Sequence, residues 1–468
     1  MRVLLAASEV APIIKLGGLG DVVGSLPKAL QRLGVNIDVI VPFFPVADTN
    51  IFKIEKLLDM HVPFGGESFL IKVFTARIPV RGTEGVDVYL LKNDKVFSIG
   101  GQDAFANNLS ETEMFMFFSK AVVEFVKVRL GMYDIVHCND WHTGLITHLL
   151  SDELGLERPA TVFTIHNIKY QGIGDEALLE NAGLVPGTHP MLDWDTEDGS
   201  VNLMQQGIMS ADYINAVSPS YAKEIMTPKF GGGFVDILKA REGRLSGILN
   251  GLDYSQFPRN YDVYTCPQEK PEFKKTLQEK LGLEVCDKPV FSFISRLDPN
   301  QKGLDILHSV IPDIVKRGGQ FILLGVGEKE WEGKFHLLAP DKSISINTVF
   351  DVALARQMYE GSDFLLAPSK YEPCGLIQMI AMWYGTLPVV HGVGGLKDSV
   401  TDGKNGFVFK QYTAKALLSS IEKALKVYGD RQKLNEMVTS AITTDFSWEK
   451  SAEEYKKLYE SAVATRKQ

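Results

Sequence analysis

Short apolar runs alternate with helical patterns along most of this chain. The first apolar run covers residues 2–7, a helical pattern covers 21–33, and a second apolar run covers 36–42. Apolar runs of this length, without polar alternation, predict strands buried on both faces, as in a parallel sheet. The order strand, helix, strand therefore predicts a βαβ unit at the start of the chain.

The same alternation continues through the first half of the chain. It predicts a helix at 112–130 and further strands at 69–79, 86–91, 134–138, 161–165 and 212–217. Residues 254–288 are richer in proline and charge, and they contain one helical pattern at 272–283. We place a domain boundary near residue 250, because the regular alternation stops there.

The alternation restarts in the second half. Strands are predicted at 289–295, 321–324, 364–367 and 387–390, and helices at 304–316, at 352–360 and from residue 376. An amphipathic helix is predicted at 448–464. We therefore predict an α/β protein of two doubly wound, Rossmann-like domains. The first is 1–250, completed by the C-terminal segment 448–468, and the second is 251–447.

Composition and charge exclude some classes of function. Of the 468 residues, 45% are hydrophobic and 23% are charged, as in soluble globular proteins of more than one core. The net charge of −9 argues against a nucleic-acid-binding surface, which needs an excess of lysine and arginine. The four cysteines lack disulfide or metal-ligand spacing, and no apolar run suits a signal peptide or membrane span. We expect a cytoplasmic protein without nucleic-acid or membrane partners.

Polar residues follow several predicted strands of the first half. The loop before the first helix carries Lys15, Gly17 and Gly18, and Asp21 stands at the helix start. Glycines allow close backbone approach to a ligand, and a helix N-terminus attracts phosphate. A tight turn capped by Asp21 is the structural alternative.

Three further strand ends of this half carry candidate side chains. Asp140 follows strand 134–138, His166 and Asn167 follow strand 161–165, and Asn250 closes the domain. Ligands of open α/β sheets bind at the carboxyl ends of the strands. A hydrogen-bonded structural role is the alternative for a single histidine.

The second half contributes an acid, two cations and glycines. Glu372 lies between a strand and a helix that opens near Leu376, with Cys374 and Gly375 between them, and the next strand leads to Gly394 and Gly395. Arg296 and Lys302 follow strand 289–295, and Phe350 precedes helix 352–360. A carboxylate beside a helix N-terminus suits a phosphorylated sugar, because it accepts hydroxyl hydrogen bonds while the helix end attracts phosphate. The alternatives are a capping glutamate in a buried turn and surface ion pairs for the two cations.

Together these segments resemble the bacterial glycogen synthase and plant starch synthase family, glycosyltransferase family 5. The segments that carry the resemblance are KLGGLGDV at 15–22, HCNDWH at 137–142, TIHN at 164–167, NAVSPSYA at 215–222, QKGLD at 301–305, EPCGL at 372–376 and GGL at 394–396. They are collinear and span the whole chain.

The resemblance implies a GT-B fold, in which two Rossmann-like domains face each other across a cleft. It implies an acceptor-side N-terminal domain and a C-terminal domain that binds the nucleotide sugar. The implied reaction moves glucose from ADP-glucose to the non-reducing end of an α-1,4-glucan, such as glycogen or a maltooligosaccharide, with retention of the anomeric configuration. The family needs no metal and no other cofactor.

The resemblance also implies roles for the candidate residues. Arg296 and Lys302 would stabilise the leaving diphosphate, Glu372 would hold glucose hydroxyls, and His166 would orient the glucose. Lys15 would contact the donor phosphate, and Phe350 would stack on the base. The remaining positions would line the site through polar side chains or backbone N–H groups: Gly17, Gly18, Asp21, Asp140, Asn167, Asn250, Cys374, Gly375, Leu376, Gly394 and Gly395.

This chain departs from the family pattern in places. Five residues separate Arg296 from Lys302, one more than is common, and Val393 replaces the usual Thr or Ser before the glycine pair. The loop at 96–102 lacks the usual Arg-Pro-Gly. Two other functions stay open: a UDP-glucose-dependent GT-B transferase, and a non-catalytic homologue that binds glucan or nucleotide. The sequence does not give the oligomeric state.

Overall fold

The computed structural model describes residues 1–97, 110–185, 187, 190–259, 261–263, 265–339 and 341–466. Across these ranges the chain forms two compact units. Unit one contains Met1–Val217, Ala222–Gly251 and Ser447–Gln468, and unit two contains Ser218–Tyr221 and Leu252–Phe446. The change of unit after Gly251 lies one residue beyond the predicted boundary. The placement of Ser218–Tyr221 in unit two differs from the prediction, which assigned these residues to the first domain.

Unit one is built on a mostly parallel sheet. Its strands are β1 (Arg2–Ala6), β2 (Asn36–Pro42), β3 (Glu55–Phe64), β4 (Glu67–Ile78), β5 (Val86–Lys92), β6 (Ile135–Asn139), β7 (Ala160–Ile165), β8 (Ile173–Asp175), β9 (Ser200–Asn202), β10 (Tyr213–Ala216) and β11 (Leu245–Gly247). In the described residues, nine of them form one sheet in the order β11-β10-β7-β6-β1-β2-β5-β4-β3, and β8 pairs with β9. Pairing is parallel from β11 to β5, whereas β4 and β3 add an antiparallel edge.

Unit two contains a smaller sheet that is parallel throughout. Its strands are β12 (Val290–Ile294), β13 (Gln320–Leu324), β14 (Ile344–Asn347), β15 (Phe364–Ala367), β16 (Leu387–His391) and β17 (Phe407–Phe409). Their order is β14-β13-β12-β15-β16-β17. Every described residue of β12, β13, β15 and β16 is buried, as expected for strands covered on both faces.

Helices connect the strands of both sheets. Those before residue 252 are α1 (Gly18–Arg32), α2 (Glu111–Val128), α3 (Gly144–Leu154), α4 (Leu178–Asn181), α5 (Pro190–Asp195), α6 (Leu203–Ser210), α7 (Pro219–Glu224) and α8 (Val235–Ala240). Those that follow are α9 (Cys266–Leu281), α10 (Leu304–Lys316), α11 (Lys329–His336), α12 (Val352–Gly361), α13 (Ile377–Trp383), α14 (Gly394–Ser399), α15 (Ala414–Gly429), α16 (Arg431–Thr443) and α17 (Trp448–Arg466). The predicted pair of doubly wound α/β domains is confirmed. No helix in the described ranges has both the length and the apolar character that a membrane crossing requires.

The strand order of each sheet reverses beside its first strand. In unit one, β1 lies between β2 and β6, and in unit two, β12 lies between β13 and β15. Loops that leave such neighbouring strands in opposite directions open a crevice at the carboxyl edge of the sheet. The predicted site residues after β6, β7, β12, β15 and β16 follow strands at or near these reversal points.

The C-terminal helix α17 completes the core of unit one. Its buried residues recur at helical spacing: Trp448, Ala452, Tyr455, Tyr459 and Ala462. The hydroxyl of Tyr459 lies 2.8 Å from His137 Nδ1, and Tyr455 OH accepts a 3.0 Å hydrogen bond from Asn215 Nδ2. The helix therefore supplies both apolar surface and hydrogen-bond partners to the strands β6 and β10.

We expect Tyr459→Phe to destabilise unit one by about 1–3 kcal/mol, because a buried imidazole nitrogen loses its partner. Burial lowers the pKa of His137 to about 3, so the ring stays neutral and cannot compensate by taking a proton. Thermal and urea unfolding would measure the change. Tyr170→Phe is the control, since the Tyr170 side chain is half exposed. Equal stability of the two variants would contradict the prediction.

Candidate active site

Three neighbouring strands of unit one deliver polar residues to one edge of the sheet. Glu9 follows β1, Asn139 and Asp140 stand at the end of β6, and His166 and Asn167 follow β7. The order β7-β6-β1 places these strand ends side by side. The structure thus brings Asp140, His166 and Asn167 together, as their positions after parallel strands predicted.

Asn139 and Asp140 fix His166 from two directions. Asn139 Nδ2 donates to the carbonyl of Ala6 at 3.1 Å, so its Oδ1 accepts from His166 Nε2–H at 3.0 Å. Asp140 Oδ1 accepts the backbone N–H groups of His166 at 2.7 Å and Asn167 at 3.3 Å. Burial lowers the pKa of His166 to about 3, so this ring is neutral at physiological pH. His166 can therefore orient a ligand but does not supply a proton near pH 7.

Asp140 combines a rare backbone conformation with a raised pKa. Among the described residues it is the one non-glycine residue with a positive φ, at 56°. Such a backbone costs about 1–3 kcal/mol and persists where surrounding bonds enforce it. Burial raises the pKa of Asp140 to about 7, although the two N–H groups that it accepts act in the opposite direction. The Asp140 carboxyl group therefore serves first to hold the His166 backbone.

The glycine loop before α1 is organised by Glu9. The buried Glu9 carboxylate accepts the N–H groups of Leu16 and, at 2.7 Å, of Gly17. A Cβ at Gly17 would lie 3.3 Å from this carboxylate, whereas around Gly18 no described atom lies within 4 Å of the Cβ position. A side chain at Gly17 would therefore crowd the Glu9 carboxylate, and the Gly17 N–H group is already bonded to that carboxylate. Gly18 is the member of the pair that faces open space.

Lys15 and Asp21 lie beside each other on the same loop. Lys15 Nζ donates to Asp21 Oδ1 at 2.7 Å, and about half of the Lys15 side chain is exposed. Asp21 thus pairs with the lysine, and it makes no side-chain cap at the start of α1. This pairing leaves the ammonium group accessible to solvent at the mouth of the loop.

Asn250 also belongs to unit one. Its side chain is buried, and its Oδ1 atom has no hydrogen-bond partner among the described residues. A buried polar atom without a partner is unusual in a folded protein. The place of Asn250 in the site stays a prediction.

Glu372 is the centre of the polar cluster in unit two. Its carboxylate accepts from Lys302 Nζ at 2.7 Å, from Ser369 Oγ at 2.9 Å and from Gln301 Nε2 at 3.4 Å. The side chains of Lys302 and Glu372 are only 13% and 9% exposed. The pair is therefore a buried ion pair with added hydrogen bonds, the form in which buried charges are tolerated.

The loop between Arg296 and Lys302 contains the additional residue. It folds into a turn in which the N–H group of Lys302 donates to Asp298 O at 2.8 Å. Gly303 follows with φ +69°, and a Cβ there would lie 2.0 Å from the carbonyl of Pro368. The turn absorbs the added residue, and Lys302 reaches Glu372.

The glycine pair packs directly on the Glu372 loop. Gly395 N–H donates to Glu372 O at 3.1 Å. Cβ atoms at Gly394 and Gly395 would lie 1.9 Å from Glu372 O and 2.1 Å from Cys374 O, so neither position has room for a side chain. Gly375, with φ +72°, completes this close packing. Cys374 is buried, and Leu376 is the N-cap of α13.

Arg296 and Phe350 line a separate cavity of unit two. This cavity has a volume of about 760 Å³ and is walled mainly by apolar residues, including Val349, Val352 and Tyr384. Phe350 is 86% exposed. An apolar cavity with one exposed aromatic ring and the guanidinium groups of Arg296 and Arg356 at its wall suits a flat, anionic ligand.

Some residues of the site were not predicted as site residues, although Asn139 and Gln301 lie in the segments HCNDWH and QKGLD. Glu9, Asn139, Ser369 and Gln301 contact predicted residues but were not predicted. Glu9 is a single acid without a motif, and Ser369 and Gln301 reveal their role only through their distance to Glu372. The loop at 96–102 lies mostly outside the described residues. In the described ranges, His, Cys, Asp and Glu residues form no group of three or more arranged to hold a metal ion.

Two family models match this chain. A starch synthase catalytic domain matches residues 2–240, and a model of glycosyl transferases group 1 matches residues 274–440. A glycogen synthase of Fervidobacterium nodosum is 40% identical to this chain, with 99% of each chain covered. A glycogen synthase of Exiguobacterium sibiricum is 39% identical, with 98% of each chain covered.

Solved structures agree with these matches. The catalytic domain of starch synthase IV from Arabidopsis thaliana, bound to ADP and acarbose, has a TM-score of 0.86 and 29% identity, with 99% of each chain covered. A sucrose-phosphate synthase from Thermosynechococcus elongatus has a TM-score of 0.63 at 17% identity, with 99% of each chain covered, which is a likeness of fold alone.

The bonds of Glu9 predict its role in the glycine loop. Glu9→Ala leaves two N–H groups without their acceptor, so we expect amide exchange at Leu16 and Gly17 to accelerate about tenfold or more and stability to fall by about 1–3 kcal/mol. Glu9→Gln keeps one acceptor oxygen and should change both less. Glu242→Ala, at an exposed glutamate of unit one, is the control. Unchanged exchange in Glu9→Ala would show that the loop holds itself.

The raised pKa of Asp140 predicts a pH-dependent stability. Between about pH 4 and 7 the folded chain keeps a proton on Asp140 that the unfolded chain releases, so its stabilising contribution is lost as the pH rises through this window. Asp140→Asn has no such proton. The unfolding temperature of the wild type minus that of Asp140→Asn should therefore fall from pH 4 to pH 8. A flat difference would refute the assignment, and the exposed Asp236→Asn serves as the control.

Proposed function

Because this chain belongs to the family of bacterial glycogen synthases and starch synthase catalytic domains, we propose that it transfers glucose from ADP-glucose to the non-reducing end of an α-1,4-glucan. The anomeric configuration of the glucose is retained. The acceptor is glycogen or a maltooligosaccharide. The four cysteines are free thiols, which supports a cytoplasmic location.

The buried Lys302–Glu372 pair carries this proposal. Glu372 offers oxygen acceptors to the hydroxyl groups of a sugar, and Lys302 offers a cation to the diphosphate beside it. The 2.7 Å contact between them neutralises both charges before the donor binds. A donor that brings its own hydroxyls and negative charge can replace this contact with two new ones, one on each side chain.

Charge on the leaving group determines the rest of the chemistry. As the bond between the anomeric carbon and the β-phosphate oxygen breaks, its electron pair moves to that oxygen. The acceptor hydroxyl forms the new bond on the same face and gives its proton to the departing phosphate. Arg296, Lys302 and the backbone N–H groups near Leu376 are the groups that stabilise the developing charge, and one such donor contributes about 3–4 kcal/mol.

We propose that this stabilisation needs no metal ion and no other cofactor. Lys302 is held by Glu372 and by its own turn, so its charge is in place before the reaction, and Arg296 adds a second cation at the cavity wall. The cavity that contains Phe350 is the proposed site for the nucleoside. In unit one, the neutral His166 ring orients the glucose and Lys15 contacts the donor phosphate.

Glucose incorporation into glycogen tests the proposal. We expect strong incorporation from ADP-glucose in the presence of EDTA and weaker incorporation from UDP-glucose. A preference for UDP-glucose would correct the donor, and a loss of activity in EDTA that Mg²⁺ restores would refute the metal-free mechanism. No incorporation from either donor, with ADP still bound, would favour the non-catalytic homologue.

In the same assay, Lys302→Ala, Arg296→Ala and Glu372→Gln should each lower kcat by about 10²–10³-fold. Lys329→Ala is a matched control, since Lys329 forms a 2.7 Å pair with Glu332 but is 90% exposed. Unfolding temperatures separate a chemical loss from a loss of fold, because Lys302→Ala leaves a buried carboxylate unpaired. Near-wild-type rates in all three variants would refute the assigned roles.

A further inference from the structure

Ser218–Tyr221 is a short segment of unit two within a stretch of unit one. The chain belongs to unit one up to Val217 and again from Ala222. The segment lies in NAVSPSYA, which supported the family resemblance without receiving a role. Its contacts within unit two lead directly to the loops that carry Glu372 and the glycine pair.

Ser218 holds the backbone next to Glu372. Its hydroxyl donates to the carbonyl of Pro373 at 2.7 Å, and the side chain is fully buried. The same oxygen accepts the N–H group of Tyr221 at 3.2 Å. In the first bond the hydroxyl is the donor, because a carbonyl oxygen only accepts. Ser218 therefore links the segment to the peptide unit that follows Glu372.

Ser220 holds the helix that begins with the glycine pair. Its N–H group donates to Asp398 Oδ2 at 2.7 Å, and its hydroxyl donates to Asp398 Oδ1 at 2.6 Å. Asp398 lies on α14, which starts at Gly394. A carboxylate that receives two hydrogen bonds from one residue has little freedom to rotate.

The Glu372 loop and the start of α14, which the two serines contact, pack directly against each other. Gly395 N–H is bonded to Glu372 O, and a Cβ at Gly394 would overlap the same carbonyl. A shift of either loop therefore moves the Glu372 carboxylate relative to the start of α14. Ser218 bonds to the first of these loops and Ser220 to the helix that follows the second.

The geometry points to Ser218 and Ser220 as positioning residues for the transfer reaction. They set the distance between the Glu372 loop and the Gly394–Gly395 helix start, and they act through Pro373 and Asp398 without touching the donor. This inference rests on the proposed function, since it takes Glu372 to hold the glucose.

The inference separates the chemical step from nucleotide binding. The cavity proposed for the nucleoside is lined by Arg296, Phe350 and their neighbours, and neither Ser218 nor Ser220 lines it. Displacement of reacting groups by about 1 Å lowers a rate by as much as about 10²-fold. Loss of the serine hydroxyls should therefore lower kcat and leave ADP binding nearly unchanged.

The experiment compares Ser218→Ala with Ser119→Ala. Ser119 is a fully buried serine of unit one whose hydroxyl donates to Phe115 O at 2.9 Å, so both variants lose a buried hydrogen bond. We expect Ser218→Ala to lower kcat with ADP-glucose by about 10–100-fold and to keep the Kd for ADP within about twofold. We expect Ser119→Ala to change neither, although both variants lose stability.

Ser220 provides a second test that tolerates substitution better. Ser220→Ala should lower kcat by about 3–10-fold, and Ser220→Thr should restore it because the hydroxyl returns. A kcat of Ser218→Ala equal to that of Ser119→Ala would overturn the inference, and so would an equal loss in kcat and ADP affinity, which marks general damage.

Amide exchange makes the outcome independent of catalysis. Exchange at Gly395 should accelerate in Ser218→Ala and not in Ser119→Ala, whether or not the wild type accepts ADP-glucose. An inactive wild type with accelerated exchange would refute the proposed function while supporting the positioning of the loops. Unchanged exchange at Gly395 would overturn the positioning itself.

Discussion

The buried ion pair between Lys302 and Glu372 is the interaction on which the geometry of unit two depends. Two opposite charges are kept from water only because each meets the other and because Ser369 and Gln301 satisfy further oxygen positions. The turn before Lys302 and the close packing of Gly394 and Gly395 on the Glu372 loop hold the two partners of this pair in place. A charge that is costly to bury is thus already oriented before any ligand arrives.

In unit one, a neutral histidine, a raised-pKa aspartate and one buried carboxylate take the place of a buried ion pair at the candidate site. His166 is uncharged, the pKa of Asp140 lies near neutrality, and the Glu9 carboxylate holds the glycine loop. Backbone N–H groups and side-chain amides orient these groups more than ion pairs do. The net charge of −9 therefore says little about the local charge in unit two, where Arg296 and Lys302 both follow the strand β12.

Much of the architecture was predictable, because the strands at the centre of each sheet are continuous apolar runs. The edge strand β3 was missed, since its exposed and charged positions hide the pattern, and helices α15 and α16 were not assigned. Glu372 and Lys302 were predicted separately, but their contact spans 70 positions in the chain, and no local spacing reports it. The same limit explains why the roles of Glu9 and Asn139, and the assignment of Ser218–Tyr221 to unit two, were not predicted. Periodicity predicts elements well, whereas pairing between distant loops depends on the finished fold.

The position of α17 has a consequence for the order in which the protein is made. Tyr455 and Tyr459 complete the core of unit one, yet they are synthesised after the whole of residues 252–446. During synthesis, His137 and Asn215 lack these hydrogen-bond partners while all of residues 252–446 are added. Apart from Ser218–Tyr221, which has already been made, unit two lies in that continuous stretch, so it can assemble before α17 is synthesised. The core of unit one therefore reaches its final state only after residues 252–446 have been synthesised, and a stop codon before residue 455 would remove contacts from the part of the protein that was made first.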